Sequence, residues 1–252
     1  MSSRTIAIGD IHGDLAALDR LLDRLPPLVA EDTLLFIGDY VDRGPDSRGV
    51  VERVREVQRR YRAKVICLRG NHEDKWMQCY EKADPGFMLP IGNGCTRTFR
   101  SYTGGPPLAE DESIDASEYP RFFDVKSWLP LEVLYWMEDL ALWYEDEHAI
   151  YVHAGLDGEG SEWKHPRDGR EKHLLWMREN DFFTQYKGKR LVFGHTMVSE
   201  LPTNHLGRVA KWLDDPGDVW VRGDLIGLDT GCGKGGFLSA IELPRGKVYE
   251  SR

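Results

Sequence analysis

Three short segments in the first third of the chain carry the side chains that bind hard and borderline cations. They are Gly9-Asp10-Ile11-His12-Gly13, Gly38-Asp39-Tyr40-Val41-Asp42-Arg43-Gly44 and Gly70-Asn71-His72-Glu73. Each follows an apolar run of strand length: Ile6-Ala7-Ile8, Leu34-Leu35-Phe36-Ile37 and Val65-Ile66-Cys67-Leu68. Two later junctions repeat the form with a histidine, in Tyr151-Val152-His153-Ala154-Gly155 and Val192-Phe193-Gly194-His195-Thr196. Open α/β sheets collect ligands at the carboxyl ends of their strands, which gathers Asp10, His12, Asp39, Asn71 and His72 on one rim. A lone strand-end histidine is more often packed or hydrogen-bonded than a ligand. Two of them beside the Asp-x-His, Gly-Asp and Gly-Asn-His segments reverse that expectation. Carboxylate oxygens and imidazole nitrogens, with no thiolate among them, suit Mn²⁺, Fe²⁺ or Zn²⁺. Two such ions held by a shared carboxylate are a device for hydrolysing phosphoesters.

The elements needed to position these residues are legible as alternating strands and helices. Strands are expected at 5–10, 33–39 and 64–69. Between the first two, Leu15, Leu18, Leu21, Leu22 and Leu25 recur at helical period until Pro26-Pro27 stops them. Between the next two, Val50, Val51, Val54, Val57 and Tyr61 do the same. This βαβ pattern predicts a central, largely parallel sheet. From 74 to 138 the chain turns aromatic and helical, with an acidic Gly/Pro-rich interval at 104–118, and reads as an insertion in a single domain spanning 1–252. Its aromatic residues are expected mainly to pack, with a minority lining a groove. Strand character returns at 140–144, 149–153, 190–193, 225–228, 237–243 and 247–249, predicting a second sheet packed on the first.

Composition narrows the function classes. A hydrophobic fraction of 41% with eight Trp in 252 residues supports a large core. The net charge of -9 argues against a surface for a nucleic-acid polymer or an anionic membrane, while leaving room for one basic pocket. Cys67, Cys79, Cys95 and Cys232 form no C-x-x-C pair and no zinc-like spacing. The first residues enter a strand without a signal-peptide pattern, and no apolar run is long enough to span a bilayer, so a cytoplasmic protein is expected. The sequence does not fix an oligomeric state.

In this order the GDxHG, GDxVDRG and GNHE motifs resemble the phosphoprotein phosphatase family of dinuclear metallophosphoesterases. The likeness is to its compact bacterial serine/threonine phosphatase type, related to the symmetric diadenosine tetraphosphate hydrolases. It runs from residue 9 to 233 and is loose between 74 and 146. The resemblance implies a calcineurin-like fold of the α/β (α+β sandwich) class, two packed mixed β-sheets flanked by helices. It implies two divalent ions, with Mn²⁺ favoured: the first on Asp10, His12 and Asp39, the second on Asn71, His153 and His195, with Asp39 bridging. A hydroxide shared by the ions would attack phosphorus, and His72 would protonate the leaving oxygen with Asp42 fixing its tautomer. Arg43 would bind phosphate oxygens, joined by Arg178 of Leu174-Leu175-Trp176-Met177-Arg178, for which a solvated helix face is the plain alternative. Broader metallophosphoesterases, nucleases included, end in a G-H-x-H motif. Here Met197 follows in Gly194-His195-Thr196-Met197, which disfavours a nuclease.

Within Leu228-Asp229-Thr230-Gly231-Cys232-Gly233, Asp229 either orients a ligand or closes a turn. His148, His165, His173 and His205 carry no assigned chemistry, and Gly233-Lys234-Gly235-Gly236 lacks the P-loop pattern. Two substrate classes follow: a phosphoserine or phosphothreonine protein or peptide, and, as the alternative, a dinucleoside tetraphosphate. The alternative calls for base stacking, for which Trp76, Tyr80, Phe87 and Phe99 are the candidates. A non-catalytic scaffold is disfavoured, because every ligand position is filled.

Overall fold

A computed structural model describes residues 3–82, 85–109, 112–160, 162–202 and 219–252. The first apolar run becomes β1 (Thr5–Ile8), flanked in parallel by β2 (Thr33–Phe36), which pairs in turn with β3 (Lys64–Cys67). The crossovers are α1 (Leu15–Arg24) and α2 (Ser47–Arg60). Each starts immediately after a ligand-bearing loop because an aspartate caps it. Asp14 accepts from the Ala17 N–H at 2.8 Å and Asp46 from the Gly49 N–H at 2.8 Å. On the other side of β1, β11 (Ser239–Leu243) and β12 (Lys247–Glu250) add antiparallel, giving the order β12-β11-β1-β2-β3.

The second sheet has the order β4-β5-β8-β10-β9, built from β4 (Trp143–Glu145), β5 (Ile150–Val152), β8 (Leu191–Phe193), β9 (Trp220–Arg222) and β10 (Leu225–Gly227). Its three inner strands are parallel and its edges antiparallel. Both sheets are thus mixed, as the resemblance implies. A separate two-stranded ribbon joins β6 (Gly158–Glu159) to β7 (Glu162–Trp163).

Strand alternation sorts the side chains into layers. Ile6, Ile8, Leu34 and Phe36 face a core shared with α1 and α2. Ala7, Leu35 and Ile241 face the other way, against Tyr151, Val192 and Ile226 of the second sheet. The far face of that sheet, with Val152 and Phe193, packs on α7 (Glu171–Trp176) and α8 (Asn180–Gln185) through Leu174 and Phe182. The aromatic segment forms α3 (Asn71–Lys82), α4 (Cys95–Thr103), α5 (Tyr119–Phe123) and α6 (Leu131–Glu138), and shares the α1/α2 core. Edge-to-face rings tie it together, Trp76 on Trp128 and Phe99 on Phe122.

That packing corrects one expectation. Trp76 is 0% and Phe99 1% exposed, so neither can stack on a base; Tyr80 and Phe87 are partly buried against the same core. Strand ends also differ. The strand expected from 140 starts at Trp143, and Ala141 instead forms a single parallel bridge with Leu68, joining the sheets. β9 and the β6–β7 ribbon were not expected, and the two-residue strands of the ribbon are too short for an alternating pattern to register. His205 lies outside the described residues. Among the described residues no helix is long and apolar enough to cross a membrane.

Ile241 sits fully buried between the sheets. Truncating Ile241→Ala is expected to cost about 2–5 kcal/mol, read as a shift in urea-denaturation midpoint at constant slope. A loss below about 1 kcal/mol would show that the layer is not close-packed.

Candidate metal centre

The loops after β1, β2, β3, β5 and β8 meet at one rim. They interlock through the backbone before any side chain is considered, the Ile11 and His12 N–H groups both donating to the Asp39 carbonyl at 3.1 and 2.9 Å. Asp10 Oδ2 accepts from the His195 N–H at 2.9 Å, which ties the first sheet to the second. Asp39 lies at the centre. Its Oδ2 is 3.4 Å from His12 Nε2 and its Oδ1 is 3.4 Å from His153 Nε2. Asn71 Oδ1 is 2.9 Å from His153 Nε2 and 2.7 Å from His195 Nδ1. The six residues expected as ligands, Asp10, His12, Asp39, Asn71, His153 and His195, are all buried there.

The protons show what this cluster is suited to hold. His12 Nδ1 lies 3.0 Å from the Val41 carbonyl and His153 Nδ1 3.2 Å from that of Ile37. A carbonyl can only accept, so each ring carries its proton on Nδ1. Burial holds both imidazoles below their ordinary pKa, with the Arg43 charge adding to the effect at His12, so neither takes a second proton. Their Nε2 lone pairs therefore confront the Asp39 carboxylate. Although burial alone would raise it, the surrounding His153, His72, His12 and Arg43 hold Asp39 far below the usual carboxylate range. Asp10 goes the other way, pushed well up by burial and by Asp229 and Asp39, and its Oδ1 has no hydrogen-bond partner. Lone pairs facing lone pairs and an orphan carboxylate oxygen fit a pair of bound cations.

Two groups of side chains converge closely enough to hold an ion: His12, Asp39 and His72, and Asp39, His153 and His195. His72 belongs to the first by distance, with Nε2 3.9 Å from Asp39 Oδ2. Its Nδ1, however, is 2.6 Å from Asp42 Oδ2. Asp42 also accepts from Trp76 Nε1 at 3.0 Å and Thr98 Oγ1 at 2.5 Å, so the dyad is fixed from three sides.

The arginines stand at the mouth. Arg43 Nη1 is 2.5 Å from His12 Nε2 and Nη2 is 3.3 Å from His72 Nε2. Arg178 lies one residue past the α7 cap, exposed, where it pairs with Glu200 at 3.2 Å and donates through Nε to His195 Nε2 at 3.0 Å. Asp229 caps its own turn, accepting from the Gly231 N–H at 3.0 Å, while its Oδ2 is buried without a partner.

A fold of this topology with a rim of this composition defines a metal-dependent phosphoesterase. The chain belongs to the calcineurin-like phosphoesterase family, whose profile matches residues 3–199. It is 25% identical, over 97% of its length and 94% of the relative's, to a symmetrical bis(5'-nucleosyl)-tetraphosphatase of Nitrosospira multiformis. It is 24% identical to serine/threonine-protein phosphatase 2 of Escherichia coli over 78% of this chain and 81% of that one. Among solved structures it resembles one provisionally described as a diadenosine tetraphosphatase, with a TM-score of 0.64, 22% identity, and 99% and 93% of the two chains covered.

Sequence reasoning quoted Glu73 inside the GNHE motif without a role for it. Fully buried, it accepts from the N–H groups of Asp39 at 2.9 Å, Tyr40 at 2.9 Å and Gly70 at 3.0 Å, so it shapes the loop that presents Asp39. Burial and the neighbouring Asp39 push its carboxyl up to about 8, against the pull of those donors. The spacing held a signal, since an acid two residues into a helix is placed to collect free amides. Glu73→Ala would strand three buried donors at about 1–3 kcal/mol each, and a large fall in melting temperature is expected. An unchanged melting temperature would remove Glu73 from this role.

Proposed function

We propose that this chain is a dinuclear metallophosphatase acting first on phosphorylated serine and threonine side chains. The observation that carries the chemistry is the His72–Asp42 dyad standing beside the two ligand groups, with Arg43 and Arg178 at the mouth. Asp10, His12 and Asp39 would hold one divalent ion and Asn71, His153 and His195 the other, with Asp39 shared. Mn²⁺ is the favoured ion. Such a pair supplies an acidified water, its pKa brought from 15.7 to about 7, and neutralises phosphate charge.

The chain's own residues then do the rest. Arg43 and Arg178 turn their N–H donors from the ring nitrogens they now face to the phosphate oxygens, a planar fork that suits this geometry. The Asp42 carboxylate, accepting the hydrogen bond from Nδ1, favours the imidazolium form of His72, whose Nε2–H would be directed into the site. That proton passes to the leaving alkoxide, and general acid catalysis of this kind contributes about 10²–10⁴-fold. Burial of the dyad beneath Trp76 and Thr98 excludes water from Asp42.

The peptide reading is supported by a groove of about 520 Å³ between α3 and α7, with Lys75, Gln78, Glu171 and Trp176 in its walls. Mixed charges and a partly exposed indole suit an extended peptide. Trp176 also lies edge-on to His195, which places the groove beside the centre. The full-length likeness to a tetraphosphatase supports the alternative, cleavage of a dinucleoside polyphosphate at the same centre.

His72→Asn is expected to keep two ions per chain by elemental analysis. It should lose about a hundredfold in kcat on alkyl phosphates but little on p-nitrophenyl phosphate, whose leaving group needs no acid. Loss of an ion would instead make His72 a ligand. Arg178→Ala should lower turnover by a hundredfold or more, the scale of about 2.7–4 kcal/mol for one transition-state donor. Wild-type kinetics in that variant would remove Arg178 from the phosphate site.

A further inference from the structure

Asp157 lies in the loop that leaves β5, a few residues past His153, and the chemistry proposed for the centre does not use it. The residue is only 3% exposed, yet its carboxylate collects cations from three directions. Arg170 donates through Nη2 to Oδ1 at 2.8 Å and through Nε to Oδ2 at 3.2 Å. Its backbone N–H also reaches Oδ2, at 3.3 Å. Lys164 Nζ donates to Oδ2 at 3.1 Å, and His173 Nδ1 lies 2.8 Å from Oδ1 without the alignment of a hydrogen bond. The Arg170 bonds, joined by Lys164, hold the carboxyl well below the usual carboxylate range against the effect of burial.

These contacts fall on one element. Arg170 immediately precedes α7, whose N-terminus has no side-chain cap of its own, and His173 lies within the helix. The same loop meets α7 twice more. The Ala154 N–H donates to the Leu174 carbonyl at 2.7 Å, and a Cβ on Gly155 would fall 2.6 Å from Met177 Cγ. The loop that begins at His153 is thus laced along α7, and Arg178 follows directly on the helix cap.

Stability alone does not account for a buried carboxylate here. The Arg170 and Lys164 side chains are 72% and 55% exposed, where water leaves ion pairs worth little. Leu174 and Met177 already anchor α7 in the core of the second sheet. Such apolar contacts have no direction, however, and do not by themselves stop a short helix from sliding or turning. A planar guanidinium forked onto a carboxylate admits one approach and fixes both. Arg178 must meet a phosphate oxygen while His153 holds an ion, and a misplacement of about 1 Å can cost about a hundredfold in rate.

We propose that Asp157 is a positioning residue: by locking the start of α7 to the His153 loop, it sets Arg178 against the metal centre. This rests on the phosphatase reading above, in which Arg178 binds phosphate.

Mn²⁺-loaded wild type, Asp157→Asn, Arg170→Lys and Lys164→Met would be compared on p-nitrophenyl phosphate, with the first two changes also made in an Arg178→Ala background. Asp157→Asn should keep its full complement of ions by elemental analysis and lose about tenfold or more in kcat. In the Arg178→Ala background the same change should cost no more than about twofold, because the group it positions is gone. Arg170→Lys keeps the charge without the fork and should behave as Asp157→Asn does, while Lys164→Met should stay within about twofold of wild type. An equal fall in both backgrounds, wild-type kcat in Asp157→Asn, loss of an ion, or a fall in Lys164→Met matching that in Arg170→Lys would overturn the proposal. Should Asp157→Asn fold poorly, Arg170→Lys in the two backgrounds makes the same comparison. Calorimetric titration with inorganic phosphate reads the coupling without turnover, its affinity falling in Asp157→Asn and in Arg178→Ala and no further in the double variant. Were the wild type inactive on p-nitrophenyl phosphate, the phosphatase reading would fail while this titration still tested the positioning.

Discussion

The Asp39 carboxylate is the point on which the remaining contacts turn. It is a full negative charge with almost no access to water, and a buried charge is stable only when others answer it. His12, His72 and His153 surround it with Arg43 behind them, and because His12 and His153 turn lone pairs to it, a bound cation would complete the answer. Each of these side chains comes from a different loop, so satisfying one carboxylate fixes the relative positions of loops from both sheets. Glu73 secures the same loop from below by taking the backbone amides that a tight turn leaves free.

The backbone shows how firmly that arrangement is imposed. The non-glycine residues with positive φ among the described residues are His12, Asp39, Asp42, Arg43 and His195, and every one belongs to the centre. Left-handed backbone in side chains of this kind costs about 1–3 kcal/mol each and persists only where surroundings over-determine it. Glycines supply the clearance. A Cβ on Gly70 would fall 2.1 Å from Asp39 Oδ1, and one on Gly194 would fall 1.9 Å from Asp10 Oδ1. The strain is therefore concentrated in the few residues whose side chains must converge, while the helices and strands behind them are regular.

This division explains what could be read from the sequence. Asp10, His12, Asp39, Asn71, His153 and His195 were legible because each ends an apolar run, and a strand end is a position that pattern alone can locate. The parallel half of the first sheet followed from the same runs, but 237–243 and 247–249, read with the second sheet, instead form β11 and β12 antiparallel to β1, which local alternation cannot assign. Trp76 and Phe99 were misjudged as stacking candidates because an aromatic side chain on a helix reads alike whether it faces a groove or a core. Trp76 of α3 instead donates to Asp42, and with Thr98 of α4 it holds the dyad from two helices whose angles to the centre no local pattern encodes.

The hydrogen bond between Asp10 and His195 spans 185 positions of the chain. Contacts of that range form late, since the intervening chain must first be closed into a loop at an entropic cost that local contacts do not bear. The first sheet carries Asp10, His12, Asp39 and Asn71 but the second carries His153 and His195, so a chain whose sheets have not met lacks the complete centre. Competence therefore arrives in one step, when the second sheet docks on the first.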